Sequence, residues 1–187
     1  PQLASRNIRE LQQALLEDYC FLPGKIRMIP ELTLRANHNL SPDDAAILYD
    51  GMERFCADGR DHYIQFKSGQ SITYSFEYPE EVKKLRIVFD LDFSRESITQ
   101  FKRIQKYAMR SHIGRDFKPV KMPKNMAKEF VVEIDEGDGK WQNIYTTNVN
   151  HVDLFTLRID RAIKQIRVVF QSAYADEFIN VYACDIS

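Results

Sequence analysis

Short runs in which apolar and polar residues alternate fill most of this chain from Ile64 onward. Ile64 and Phe66 alternate, Ile72, Tyr74, Phe76 and Tyr78 keep the rhythm, and Leu85, Ile87 and Phe89 repeat it with Val88 on the other side. The pattern returns in Phe130, Val132 and Ile134, then around Trp141, Ile144 and Tyr145, in Leu157 and Ile159, and in Ile166, Val168 and Phe170. It closes with Phe178, Asn180, Tyr182, Cys184 and Ile186, where Ile179, Val181 and Ala183 make the opposite side apolar too. A period of two puts the apolar side chains on one face of a strand. Gly137-Asp138-Gly139 between two runs is a turn, because glycine tolerates positive φ and Asp bonds its own backbone. About eight short strands with no helices alternating between them predict an antiparallel β-sandwich or barrel, not a parallel α/β sheet.

Two stretches break the period. Ile8, Leu11, Leu15, Leu16 and Tyr19 recur at helical spacing, Asn7 with Glu10 has the form of a capping box, and Pro23-Gly24 ends the helix. Such a short helix cannot bury its stripe alone, so it is expected to dock on the sandwich or on a further domain. Residues 22–42, with Pro23, Pro30 and Pro42, read as irregular. Residues 1–40 are therefore expected to form an N-terminal helix and linker, and 41–187 the sandwich. The second break is an insertion at 94–127. Ile98, Phe101, Ile104 and Ala108 fit a short helix there, and Arg103, Lys106, Arg110, Arg115, Lys118, Lys121 and Lys124 make the rest basic. It reads as a surface excursion, either solvated or a protein-interaction surface.

Composition narrows the function classes. The chain has 187 residues, 44% of them hydrophobic and 28% charged, which is ordinary for a folded domain. A net charge of -1 gives no electrostatic reason to expect a nucleic acid or an anionic membrane as partner. No apolar run is long enough to span a bilayer. Cys20, Cys56 and Cys184 are odd in number and widely spaced, so they form neither a disulfide framework nor a zinc knuckle. His38, His62, His112 and His151 are scattered, and no nucleophile elbow or phosphate-binding loop occurs, so the chain by itself is not expected to be an enzyme. It opens on Pro1-Gln2-Leu3-Ala4, without a basic and then apolar leader, and is expected to be part of a longer polypeptide.

Three stretches resemble the galactose-binding-like (discoidin, jelly-roll) family. They are Ala46-Ile47-Leu48-Tyr49-Asp50-Gly51 with Tyr63 and the strands after it, Phe130 to Ile134 through the Gly137–Gly139 turn to Trp141, and the closing strands Ile166–Phe170 and Ile179–Ile186. A narrower resemblance covers Leu11 to Gly24, Asp50-Gly51-Met52-Glu53-Arg54, Phe89-Asp90-Leu91-Asp92-Phe93-Ser94-Arg95 and Met122-Pro123. It is to the junction and appended C-terminal galactose-binding-like domain of bacterial FAD-dependent oxidoreductases. That resemblance implies a non-catalytic accessory domain which packs on an upstream catalytic domain or binds its substrate. It implies no cofactor in this chain, with FAD held upstream, since the Gly-rich dinucleotide fingerprint is absent here. The alternatives are a carbohydrate-binding module of a polysaccharide-degrading enzyme and a protein-interaction module. A periplasmic or extracellular location is favoured if the parent acts on polysaccharide.

Candidate site residues follow from the resemblance and from residue chemistry. Arg54, Arg60, His62 and Tyr63 lie on one loop, with Arg95 on the second stretch. Arginine can fork onto vicinal hydroxyls or a carboxylate, and aromatics can stack on a sugar face. The alternative for Arg54 is a structural pair with Asp90 or Asp92. Asp50 is a candidate for a structural calcium, as in relatives of this fold, or simply a turn residue. Trp141 reads as a sugar platform or as core packing.

Overall fold

The computed structural model describes residues 27–53, 61–90 and 122–187. The helix expected at 8–19, most of the insertion, and Arg54, Arg60 and Arg95 lie outside the described residues.

The expected alternation builds an antiparallel sheet. Its strands are β1 (Asn37–His38), β2 (Ile64–Lys67), β3 (Ser71–Phe89), β4 (Ala127–Asp135), β5 (Gln142–Thr147), β6 (Leu154–Ala173) and β7 (Phe178–Ile186). Their order is β2-β7-β3-β6-β4-β5, with β1 on β3. The sequence suggested separate strands at 72–78 and 85–89, but these are the two arms of the single strand β3. β3 and β6 pair along their whole length and bend together. The register slips between Ser75 and Glu80, where β3 carries the extra residues, and in the opposite sense between Val82 and Lys84, where the extra residue is on β6. On β6 the bend falls at Asp160, whose φ of 49° is a left-handed conformation that Asp tolerates better than most residues.

The bend folds the ribbon over and creates two faces that pack together. One sheet is β2, β7 and the arms Leu85–Phe89 and Leu154–Arg158; the other is β1, the arm Ser71–Ser75, the arm Gln165–Ala173, β4 and β5. Aromatic rings bridge them: Phe66 meets Phe170 with ring centroids 4.8 Å apart, and Phe155 meets Phe130 at 5.0 Å and Tyr145 at 4.7 Å. Ile72, Leu85, Ile87, Phe130, Val132, Ile134, Ile166 and Ile186 lie in the same core with no more than a trace of exposure. The result is a β-sandwich, as the alternation implied.

Residues assigned to a linker and to the insertion are partly built into this body. α1 (Glu31–Arg35) places Thr33 against β7, where its hydroxyl donates to the Ile186 carbonyl and accepts from the Ile186 N–H, each at 2.8 Å. β1 pairs antiparallel with β3, and Met126 and Ala127, expected in the insertion, are fully buried. α2 (Pro42–Leu48) was not anticipated, though its start signal is plain. Ser41 caps it by accepting from the Asp44 N–H at 3.1 Å, Pro42 follows, and Asp43 and Asp44 occupy the first turn. Ser41→Ala is expected to cost ~1 kcal/mol, read as a lower urea midpoint with an unchanged slope.

The Gly137–Gly139 turn joins β4 to β5. Both glycines have positive φ, and one carboxylate oxygen of Asp135 accepts from their N–H groups at 2.7 and 3.0 Å. The Gly137 hydrogen bond is the main reason that the Asp135 carboxyl is held below its usual range. The bend of the ribbon lies against this turn, since a Cβ on Gly137 would meet Pro79 and Lys164 at about 4 Å.

Candidate functional site

The loop that carried most candidates is anchored on the outer face of the first sheet. One oxygen of Asp50 accepts from the Met52 N–H at 2.6 Å, a turn of the kind aspartate favours, and the other is paired with Nδ1 of His62. His62 is only 4% exposed, so its ring is held inside the protein. Tyr63 stands edge-on to Tyr182, with ring centroids 5.6 Å apart. Val88, Tyr182 and Ala183, with Tyr63 and Leu154 against them, form a second apolar cluster on this outer face. Asp50 is thus joined directly to His62, while the next residue, Tyr63, packs on Tyr182. Each carboxylate oxygen of Asp50 already has one protein partner. Among the described residues, no three His, Cys, Asp or Glu side chains converge in a way that could hold a metal.

Next to this pair lies a charged quartet that the sequence did not disclose. Arg86 on β3 faces Asp185 on β7 across the ladder. The guanidinium of Arg86 donates to both oxygens of Glu53 at 2.6 and 2.5 Å and lies 3.4 Å from Asp185. Arg27 is paired with Glu53 and Asp185 in turn. All four side chains are nearly buried, between 3% and 11% exposed. Burial pushes the Asp185 carboxyl above its usual range, against the pull of Arg27 and Arg86. The quartet ties residues 27–30 and 50–53 to β3 and β7, with a backbone bond from Arg27 N–H to the Gly51 carbonyl at 3.1 Å.

On the outer face of the second sheet, Trp141 is half-buried and lies outside the core. Its ring carries the Arg167 guanidinium 4.1 Å from the centroid, and Arg167 Nε donates to Glu133 at 2.5 Å. Core packing, one of the two expectations for this residue, is therefore not its role. Glu133 and Arg167 are cross-strand partners of β4 and β6, and Asn143 lies opposite Glu133 on β5.

At the end opposite the bend, Asp90 and Asn180 are buried and joined side chain to side chain at 2.8 Å, and Gln65 adds a bond to Asn180 at 3.2 Å. Asp90 was the alternative partner for Arg54. The Cys184 thiol is fully buried, and burial pushes it far above the usual thiol range, which makes it inert. Tyr74 is likewise raised by burial; it donates to the Cys184 carbonyl at 2.6 Å and accepts from Tyr49, whose own hydroxyl burial pushes up to about 12.

Among solved structures, the chain is similar to the chitosan-binding module 1 of a chitosanase/glucanase from Paenibacillus sp. IK-5. The TM-score is 0.51 at 11% identity, covering 83% of this chain and 97% of that one. It is similar to the family 32 carbohydrate-binding module of EndoD from Streptococcus pneumoniae to the same TM-score of 0.51, at 12% identity, covering 81% of this chain and 92% of that one. These likenesses define the fold as the galactose-binding-like jelly roll expected from the sequence. No family model and no curated protein sequence matches the chain. Among the described residues, no helix is long and apolar enough to cross a membrane.

Proposed function

We propose that this chain is a non-catalytic carbohydrate-binding accessory module of a larger enzyme acting on polysaccharide outside the cytoplasm. The observation that carries this reading is a sandwich shared, over four-fifths of the chain, with a chitosan-binding module and a family 32 carbohydrate-binding module. The surface is compatible with it, since an aromatic side chain and paired polar groups stand outward on a rigid sheet. Such a module raises the local concentration of its substrate for a tethered active site. The test is migration through gels containing neutral, cationic or acidic polysaccharides. Retardation by at least one of them is expected; free migration through all of them would remove the reading.

A second reading has its own support. The stretch Leu11–Gly24 resembles the junction of FAD-dependent oxidoreductases, and the quartet fixes residues 27–30, just beyond that stretch, to the sandwich. In this reading the module packs on an upstream flavin domain and sets access to its active site. The full polypeptide would then carry flavin absorbance while residues 27–187 alone would not. Flavin bound by the isolated chain would contradict both readings.

A further inference from the structure

We infer that the outer face of the second sheet, centred on Trp141, Arg167 and Glu133, is the surface that binds glycan, and that its ligand is an uncharged sugar chain. The inference rests on the carbohydrate-binding reading and gives it a location and a ligand class. The face is open to solvent between strands whose inward residues, such as Ile72, Tyr74, Ile166 and Val168, are fully sequestered. Its outward positions include hydroxyl and amide side chains, Thr73 opposite Arg167 on β3, Gln165 on β6 and Asn143 on β5, beside the cross-strand pair Val131 and Val169.

Two features select the ligand class. The first is charge. Arg167 and Glu133 neutralise each other at 2.5 Å, so the centre of the face offers donors and acceptors in fixed directions without a net field. A polyanion gains nothing from such a surface, whereas vicinal hydroxyls can donate to the carboxylate and accept from the guanidinium. The second is the indole. Trp141 is half-buried with Arg167 over its ring, and the part of the indole left exposed is an apolar surface with a polar N–H at its edge, which suits the apolar side of a sugar. Arg167, held by Glu133 and stacked on the indole, keeps its fork in place before any ligand arrives, which lowers the ordering cost of binding. The β4–β5 turn supports the arrangement from below, because the double acceptor Asp135 fixes the chain just ahead of Trp141.

Trp141 is the sole tryptophan of the 187 residues, so its emission reports on this surface and no other. The intact chain is titrated with oligosaccharides of neutral glucans and galactans and with oligouronates, following indole emission and, in parallel, calorimetric heat. A saturable change of emission with the same midpoint as the heat is expected for a neutral oligosaccharide. Trp141→Ala, which leaves the core untouched, is expected to weaken binding roughly tenfold with the thermal midpoint retained, the scale of one lost aromatic contact. Glu133→Gln unmasks the guanidinium and is expected to shift preference toward oligouronates. Lys67→Ala, at the far end of the sandwich, leaves binding unchanged. Heat of binding without any change in emission, or full affinity in folded Trp141→Ala, overturns this location while leaving the carbohydrate reading intact. An absence of heat with every sugar defeats that reading and the inference with it.

Discussion

Arg86→Met is expected to destabilise the fold by ~3–5 kcal/mol, the cost of leaving a buried carboxylate without its partner. Arg86 holds both oxygens of Glu53, and Asp185 lies 3.4 Å away, all on the sheet side of residues 27–30 and 50–53. Taking four charges out of water is costly, and only their mutual neutrality and hydrogen bonds offset it. With Arg86 gone, two buried carboxylates share the single guanidinium of Arg27. The quartet is therefore fragile to single changes rather than a large source of stability. The double variant Arg86→Met/Glu53→Met restores neutrality by leaving Arg27 paired with Asp185, and is expected to recover more than half of the loss. Urea unfolding of the four members of this cycle measures it. If the single variant loses less than ~1 kcal/mol, the four groups are solvated and the account of this face is wrong.

Phe130→Ala is expected to cost a similar ~3–5 kcal/mol, from lost transfer energy and the cavity left behind. Its ring is fully buried and lies 5.4 Å from Phe89, 5.8 Å from Tyr145 and 5.0 Å from Phe155, centroid to centroid. Phe89 and Phe155 belong to the first sheet, Phe130 and Tyr145 to the second. The ring thus clamps the two halves of the folded ribbon. Phe130→Leu keeps most of the volume and is expected to cost less than half as much. Equal losses for the two variants would mean that aromatic shape, not filled space, holds the sheets together.

The strands were legible because burial on one face imposes a period of two. Ile72, Tyr74, Leu85, Ile87, Phe130, Val132, Ile166 and Val168 were all assigned to inward positions, and all are buried. The bend in β3 was not legible. Tyr78 continues the alternation but is 72% exposed, because the register slips just after Ser75 and the strand leaves the first face there. α2 could have been read from Ser41-Pro42-Asp43-Asp44, but the prolines around it made the region look irregular. α1, with five residues, is too short to show a helical period.

The sites were harder to read because they are made by strand order. Arg167 and Glu133 each sit between apolar residues of a recognisable strand, so both were visibly outward. That they meet follows only from β4 lying beside β6, a neighbour relation spanning 34 residues. Arg27 and Asp185 are 158 residues apart, and no local pattern pairs them. Asp50, a candidate for calcium or a turn, and His62, a candidate on the following loop, gave no sign of each other in the sequence, since their direct pairing and the burial of His62 depend on the loop lying down on the sheet. Trp141 announced itself as chemically distinctive, and only the fold places it outside the core.

The most direct test is a backbone amide NMR spectrum of the chain, recorded with and without a neutral oligosaccharide at millimolar concentration. Resonances of Trp141, Arg167 and Glu133 and their outward neighbours on β5, β6 and β4 should move in a saturable way, while those of Asp50 and His62 stay in place. A spectrum that no sugar perturbs would contradict the account.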